Sequence, residues 1–302
     1  MSAYLFVHFI GEQKDGEQIY FSVSKDGLHF TDLNNSNLIL RSDIGMKGVR
    51  DPFIVKNSDT GIYYLIATDL RMESGISWSD AVLIGSRDII VWKSSDLIHW
   101  DGPSAHTVGI NEAGCVWAPE AVYDSINKTF LVFFASNVKY PDEQDRKQRI
   151  YCVKTNDFSN FSKAEIYMER DHHVIDSTVI FADGYYYRIS KNETTKKLEM
   201  EKSSSLYEGF EKVSSETLDD FYGLEGPEMY LLPDKKTWCL IADQFAAGKG
   251  YIPMTTSNLS SGVFEILDSS DYDLGKNKKR HGGVIEISDD EYNSLVSFYG
   301  NK

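Results

Sequence analysis

Asp51, Trp117, Asp176, Glu225 and His281 stand at intervals of 66, 59, 49 and 56 residues along a chain of 302. Each lies at or near the start of an apolar run: VRDPFIV, VWAPEAVYD, VIDSTVIF, GLEGPEMYLL and RHGGVIEIS. Three of the five are carboxylates. Carboxylates gathered at one place can divide acid and base work, one donating a proton while another activates water or attacks carbon. A third carboxylate beside the acid raises its pKa by like-charge repulsion and keeps it protonated at neutral pH. Trp117 at the same place offers a flat platform on which a sugar ring can stack.

These residues need elements that bring them together, and a repeat supplies them. The stretches SKDGLHF (24–30), SSDLIHW (94–100), TNDFSNF (155–161), SSSLYEGF (203–210) and TSNLSSGVF (256–264) resemble one another and each closes a block of strand-like sequence. Self-similarity at this period predicts an all-β propeller of five blades. Residues 48–55, 61–69, 82–93 and roughly 97–100 make the strands of blade one. Blades two, three and four open with 114–123, 129–137 and 148–154; with 174–181, 184–190 and 197–202; and with 223–232, 237–245 and 250–256. Residues 281–288 are an inner strand with no second strand after it, and 3–10, 18–24 and 28–33 are outer strands with no inner one before them. Joining the two chain ends makes blade five and removes the unpaired edges. One helix is expected, over 288–300, capped by Ser288 or Asp289. No linker divides the chain, so 1–302 reads as one propeller domain.

In such a ring the inner strand of each blade lines a central channel. Its start shares a rim with the end of the second strand. That rim receives Arg50, Asp51, Trp117, Glu120, Asp176, Glu225, Glu228, Arg280 and His281, and from second-strand ends Asp69, Asn137, Lys191 and Gln244. The loop 70–81 carries Trp78 over the same rim. Glu120 and Glu228 each lie three residues beyond a rim residue. Strict alternation along a strand sends Glu228 to the opposite face, and Glu120 is read as structural, pairing with the next blade. His172 and His173 read as loop residues.

The formal net charge is −15. It disfavours nucleic acid and anionic membranes as partners and suits a neutral small molecule. Cys115, Cys152 and Cys239 are too few and too widely spaced for a disulfide framework or a zinc site, and read as free thiols in a reducing compartment. The first residues, MSAYLFVHFIG, alternate like a strand and lack the basic start and cleavage site of a leader, so a cytoplasmic location is expected.

The five strand motifs, in this order and spacing, resemble the five-bladed propeller enzymes of glycoside hydrolase family 43 over nearly the whole chain. The resemblance implies Asp51 as general base, Asp176 as the group that orients the acid and holds up its pKa, and Glu225 as general acid. It implies a sugar-binding wall at Trp117-Ala118-Pro119, with Arg50, Trp78, Lys191, Gln244 and His281 shaping the pocket. The implied activity is inverting exo-hydrolysis of a terminal pentose, α-L-arabinofuranose or β-D-xylose, from plant-derived oligosaccharides. Endo-acting and galactose-releasing members and a non-catalytic carbohydrate-binding propeller are the alternatives. The fold and the triplet Arg50-Asp51-Pro52 also resemble fructan-cleaving propellers, but their Asn-Asp-Pro and Glu-Cys motifs are missing. No cofactor is expected to be required. A channel ion such as calcium near His281 is compatible with the resemblance, although no cluster has metal-ligand spacing of its own.

Overall fold

The computed structural model describes residues 2–300. It contains five four-stranded antiparallel sheets. Blade one runs Val49–Lys56, Tyr63–Asp69, Asp88–Ser94 and Asp101–Thr107 from the channel outward. Blade two is Trp117–Asp124, Thr129–Val138, Lys147–Thr155 and Glu165–Met168; blade three is Val174–Ala182, Tyr185–Asn192, Lys197–Ser203 and Glu211–Val213. Blade four is Glu225–Leu231, Trp238–Asp243, Tyr251–Thr256 and Glu265–Ile266.

Blade five is closed by the two ends of the chain, as expected. Gly282–Ser288 pairs with Ser2–His8, and Tyr20–Ser24 and Phe30–Asp32 follow. Seven residue pairs from Ser2↔Ser288 to His8↔Gly282 hold the seam. This one pairing withdraws from solvent two strand edges that would otherwise be open to foreign strands.

The apolar core is divided among the blade interfaces. Leu5, Val7, Val49, Leu65 and Trp92 pack between blades five and one. Ile66, Val91, Phe130 and Phe134 pack between one and two, and Phe133, Ile150, Val174 and Val179 between two and three. Ile189, Met200, Met229 and Leu240 fill the gap between three and four, and Phe6, Tyr230, Ile241 and Val284 that between four and five. Burying aromatic and branched side chains on both faces of each sheet is what fixes one blade against the next.

The repeated stretches prove to be turns from the third strand to the fourth. Ser24 Oγ accepts from the backbone N–H of Asp26 and Gly27, and Asp26 Oδ1 from those of Leu28 and His29. Ser94 and Asp96 repeat the pattern at Asp96, Leu97, Ile98 and His99. Short polar side chains stand in for backbone partners here, which is why Ser, Thr and Asp recur. This also corrects the layout of blade one. Residues 97–100 belong to that turn, and the fourth strand is Asp101–Thr107. Residues 82–87 are not strand either: a short helix, α1, occupies Trp78–Leu83, capped by Ser77. A second, α2, spans Glu216–Asp220. The expected C-terminal helix, α3, is Asp289–Tyr299, with Ser288 and Glu291 forming a capping box. Cys115, Cys152 and Cys239 are free.

Candidate active site

Four of the five inner strands carry the same irregularity near their rim end. The register shifts between Arg50 and Phe53, Trp117 and Glu120, Ile175 and Ser177, and Glu225 and Glu228. At each shift one residue has a positive φ: Asp51 at 49°, Ala118 at 47°, Asp176 at 48° and Gly226 at 53°. These are β-bulges, which bend a strand and re-aim its side chains. Side chains bearing a Cβ are strained there, and three of the four positions have one. Gly226 has no alternative, because a Cβ would stand 2.6 Å from His281 Cγ.

The bulges gather the expected catalytic residues around one imidazole. His281 Nδ1 lies 3.6 Å from Asp51 Oδ1 and 4.0 Å from Asp176 Oδ1. Asp51 Oδ2 accepts from Thr68 Oγ1 at 2.8 Å, and Thr68 Oγ1 in turn accepts from the N–H of Ala118 at 2.8 Å. Asp176 Oδ2 accepts from the N–H of Gly226 at 3.0 Å. Burial, with the charges of Glu225 and Asp51, pushes Asp176 up to about 6 against the pull of His281 and Lys191. Burial opposes the His281 imidazolium, yet Glu120, Asp176 and Asp51 together raise it to about 10.

Glu225 sits between two cations. Lys191 Nζ is 2.8 Å from its Oε2, and an Arg280 guanidinium nitrogen is 3.2 Å from its Oε1. Lys191 also pairs with Glu193 at 2.7 Å, and Arg280 with Asp243 at 2.5 Å. Burial favours the neutral acid, but Lys191, Arg280 and His281 outweigh it and hold Glu225 below the usual carboxylate range. The expectation that Asp176 holds the pKa of Glu225 up therefore meets a stronger opposing pair. The sequence alone puts Arg280 on the rim without giving it a role, and it does not point to Asp243. A second-strand end one residue before Gln244 was the only signal for Asp243.

Strict alternation placed Glu228 on the opposite face, and the structure corrects this. Glu228 is buried beside Glu120, accepts from the N–H of Val284 at 2.9 Å, and has a second oxygen without a partner among the described residues. Glu120 Oε1 is 3.9 Å from His281 Nε2. The Thr178 hydroxyl of blade three favours the ionised forms of both, so Glu120 does meet the next blade, but in the channel. Burial is the main reason that Glu120 rises to about 7 and that Glu228 rises well above its ordinary value. Each bulge adds a residue, so positions three apart share a face across it. Pro52, Pro119 and Pro227 are compatible with this, since proline within a sheet is found in edge strands, at strand starts or at bulges.

The wall of the mouth is aromatic and cationic. Trp78, 49% exposed, meets Trp117 edge to face at 6.1 Å. The Arg50 guanidinium lies 5.1 Å from the Trp78 ring and pairs with Glu17 at 2.8 Å. Gln244 hydrogen-bonds the carbonyl of Gly250 at 3.4 Å and lines a side cleft on the rim. His173 Nδ1 accepts from Gln148 N–H, and His172 lies 3.3 Å from Glu199.

Carboxylates surround His281. Both ring nitrogens face carboxylates, so the imidazolium itself places positive charge there. Among the described residues no group of three or more His, Cys, Asp or Glu is arranged to hold a metal ion.

Comparison with known proteins bears on this arrangement. The family model described as "Probable glycosyl hydrolase domain", related to glycoside hydrolase family 43, matches residues 1–293. An α-L-arabinofuranosidase of Bifidobacterium longum subsp. longum is 33% identical over an alignment of 211 residues that covers 64% of this chain and 20% of that protein. The chain thus spans about a fifth of that relative's length. A family-43 glycoside hydrolase engineered to display both endo-xylanase and exo-arabinofuranosidase activity aligns with a TM-score of 0.59 at 12% identity, over 93% of this chain and 53% of its own. The catalytic domain of a family-62 α-L-arabinofuranosidase from Coprinopsis cinerea aligns with a TM-score of 0.52 at 13% identity, over 74% and 70%. Identities this low speak for the fold alone.

Proposed function

This chain belongs to the glycosyl hydrolase family related to glycoside hydrolase family 43, and from that premise we propose that it is an inverting exo-glycosidase releasing a terminal pentose from a plant-derived oligosaccharide. The observation that carries the reading is the convergence of Asp51, Asp176 and Glu225, from three different blades, on one channel mouth around His281. Resemblance to an α-L-arabinofuranosidase supports arabinofuranose over xylose as the released sugar.

In this mechanism Asp51 takes a proton from water as the water oxygen attacks the anomeric carbon. The bond from that carbon to the leaving oxygen breaks, and Glu225 gives the leaving oxygen a proton. One water is consumed, and the configuration at the anomeric carbon inverts. Thr68 fixes one oxygen of Asp51, and the other lies 3.6 Å from His281 Nδ1. Lys191 and Arg280 fix both oxygens of Glu225 and hold it ionised in the free protein, so Glu225 must take up a proton to act. Asp176 orients the Gly226 N–H next to Glu225, and its negative charge opposes ionisation of its neighbour. Trp78 and Trp117 supply apolar faces against which a sugar ring stacks.

The test is hydrolysis of aryl α-L-arabinofuranoside, β-D-xyloside and β-D-galactoside by the wild type and by Asp51→Asn. Turnover of a pentoside that falls by about 10³-fold or more in the variant supports the reading, given the usual worth of a general base. A galactoside preference, or hydrolysis unaffected by Asp51→Asn, would overturn it. Inertness toward the whole panel would favour a carbohydrate-binding propeller.

A further inference from the structure

Hydrolysis of a neutral sugar makes no use of a second feature on the same rim. Between blades four and five, the loops 244–250 and 267–281 enclose a cleft of about 450 Å³. Lys249, Lys276, Lys278 and Lys279 line it together with Tyr272 and Gln244, and no Asp or Glu is among its lining residues. The whole chain has 46 acidic residues against 31 lysines and arginines. A cleft walled by lysines without a carboxylate runs against that balance.

Lys279 is buried and committed to Asp32 at 2.5 Å. The other three are not. Lys278 reaches only the carbonyl of Gly248, at 3.5 Å, and among the described residues no ion pair involves Lys249, Lys276 or Lys278. Their arrangement is built into the backbone. Gly250, at a φ of 79°, lets the stem of Lys278 lie across it, since a Cβ there would stand 3.0 Å from Lys278 Cγ. The nearest acidic side chain in sequence, Asp273, accepts from the N–H of Gly275 and lines the adjoining cleft beside Asp32, which shares Gly275 and Lys276 with this one.

The position of this cleft relative to Glu225 gives it a meaning. Arg280 follows Lys279 directly and contacts Glu225; Gln244 follows Asp243, the other partner of Arg280. A general acid faces the leaving oxygen, so the leaving group departs on the side of Glu225. We propose that this cleft is an anion-binding subsite for the leaving-group portion of the substrate. It takes a negatively charged saccharide unit, a uronate carboxylate or a sugar phosphate, carried beyond the scissile bond. Lys249, Lys276 and Lys278 supply the charge, and the half-buried Tyr272 supplies a ring against which the sugar lies. The assignment to the leaving-group side rests on the role proposed for Glu225.

The experiment compares the wild type with the triple variant Lys249→Gln, Lys276→Gln, Lys278→Gln. Calorimetric titration measures binding of glucuronyl-xylobiose, neutral xylotriose and glucose 6-phosphate. At about 20 mM salt the wild type is expected to bind an anionic probe about tenfold more tightly than xylotriose. That advantage should shrink at about 500 mM salt and vanish in the triple variant, since exposed charges are screened and each contributes modestly. Preference for the uronate probe identifies a carboxylate as the ligand; preference for the phosphate probe identifies a phosphate. Equal binding of charged and neutral probes, or an advantage that survives the three substitutions, overturns the proposal. Aryl pentoside turnover by both proteins separates the two readings. Charge selectivity without any turnover would sink the glycosidase reading alone, and turnover without charge selectivity would sink the subsite alone.

Discussion

The ammonium of Lys191 lies 2.8 Å from the carboxylate of Glu225, across the boundary between blades three and four. With Arg280 on its other oxygen, Glu225 is an acid held by two cations. The sign of the effect is clear: partners that favour the charged form lower its pKa, although burial works the other way. The protonated fraction of the free enzyme therefore falls early as pH rises. For substrates that need the acid, kcat/KM should decline on the alkaline side from a low pH.

Lys191→Met removes the closer cation and should move that alkaline limb upward by about one pH unit, a typical effect of one nearby charge. The readout is the pH profile of kcat/KM on an oligosaccharide. An unmoved limb would show that the limb belongs to another group.

Glu225→Gln cannot donate its proton. Hydrolysis of oligosaccharides, whose leaving oxygen needs protonation, should fall by about 10²–10⁴-fold. A dinitrophenyl glycoside, whose leaving group departs as an anion, should lose far less. Equal losses on both substrates would count against Glu225 as the acid.

Glu120 and Glu228 predict a stability effect in the channel. Burial raises both above their ordinary values, Glu120 to about 7, so the folded protein holds protons that the unfolded chain has released. Stability from Glu120 is fully present below pH 4.5 and is lost as pH rises through about 7, and that from Glu228 is lost as pH rises through a value well above its ordinary one. His281, raised from 6.5 to about 10, contributes stability that is fully present below pH 6.5 and is lost as pH rises from there through about 10. Glu228→Gln can still accept from Val284 N–H and stays neutral. The fall of Tm between pH 5 and 8 should flatten, with a gain of several degrees at pH 8, at about 2–4 °C per kcal/mol. A Tm profile that stays parallel to the wild type would contradict it.

Trp78→Ala removes an exposed face from the mouth without touching a carboxylate. KM on oligosaccharides should rise about three- to tenfold, the worth of one aromatic contact, with kcat little changed. A collapse of kcat instead would mean that α1 positions the reacting groups.

The chain showed its ring plainly. Five inner strands in register, and unmatched strands at its two ends, determined the architecture and the closure at Ser2–His8 and Gly282–Ser288. Residue types at the strand starts led to Asp51, Asp176 and Glu225. What strand periodicity missed was the bulge. A period of two assigns Glu228 away from the channel, and only an inserted residue at Gly226 reverses it. Pro52, Pro119 and Pro227 did not settle it, because proline is tolerated in an edge strand with or without a bulge. The ion pairs on Glu225 were harder to read, because Lys191 and Arg280 reach it from two other blades and no local pattern encodes their meeting. The same holds for α1: tertiary packing places Trp78 against Trp117, while residues 78–83 have no helical repeat long enough to notice.

The most direct test of the central claim is the anomeric configuration of the first-formed sugar, followed by proton NMR during rapid hydrolysis of the preferred pentoside. The account predicts the inverted anomer at the earliest times, with mutarotation following. A retained anomer would require a carboxylate to attack carbon and form a covalent glycosyl intermediate, and would contradict the assignment of Asp51 as a base acting on water.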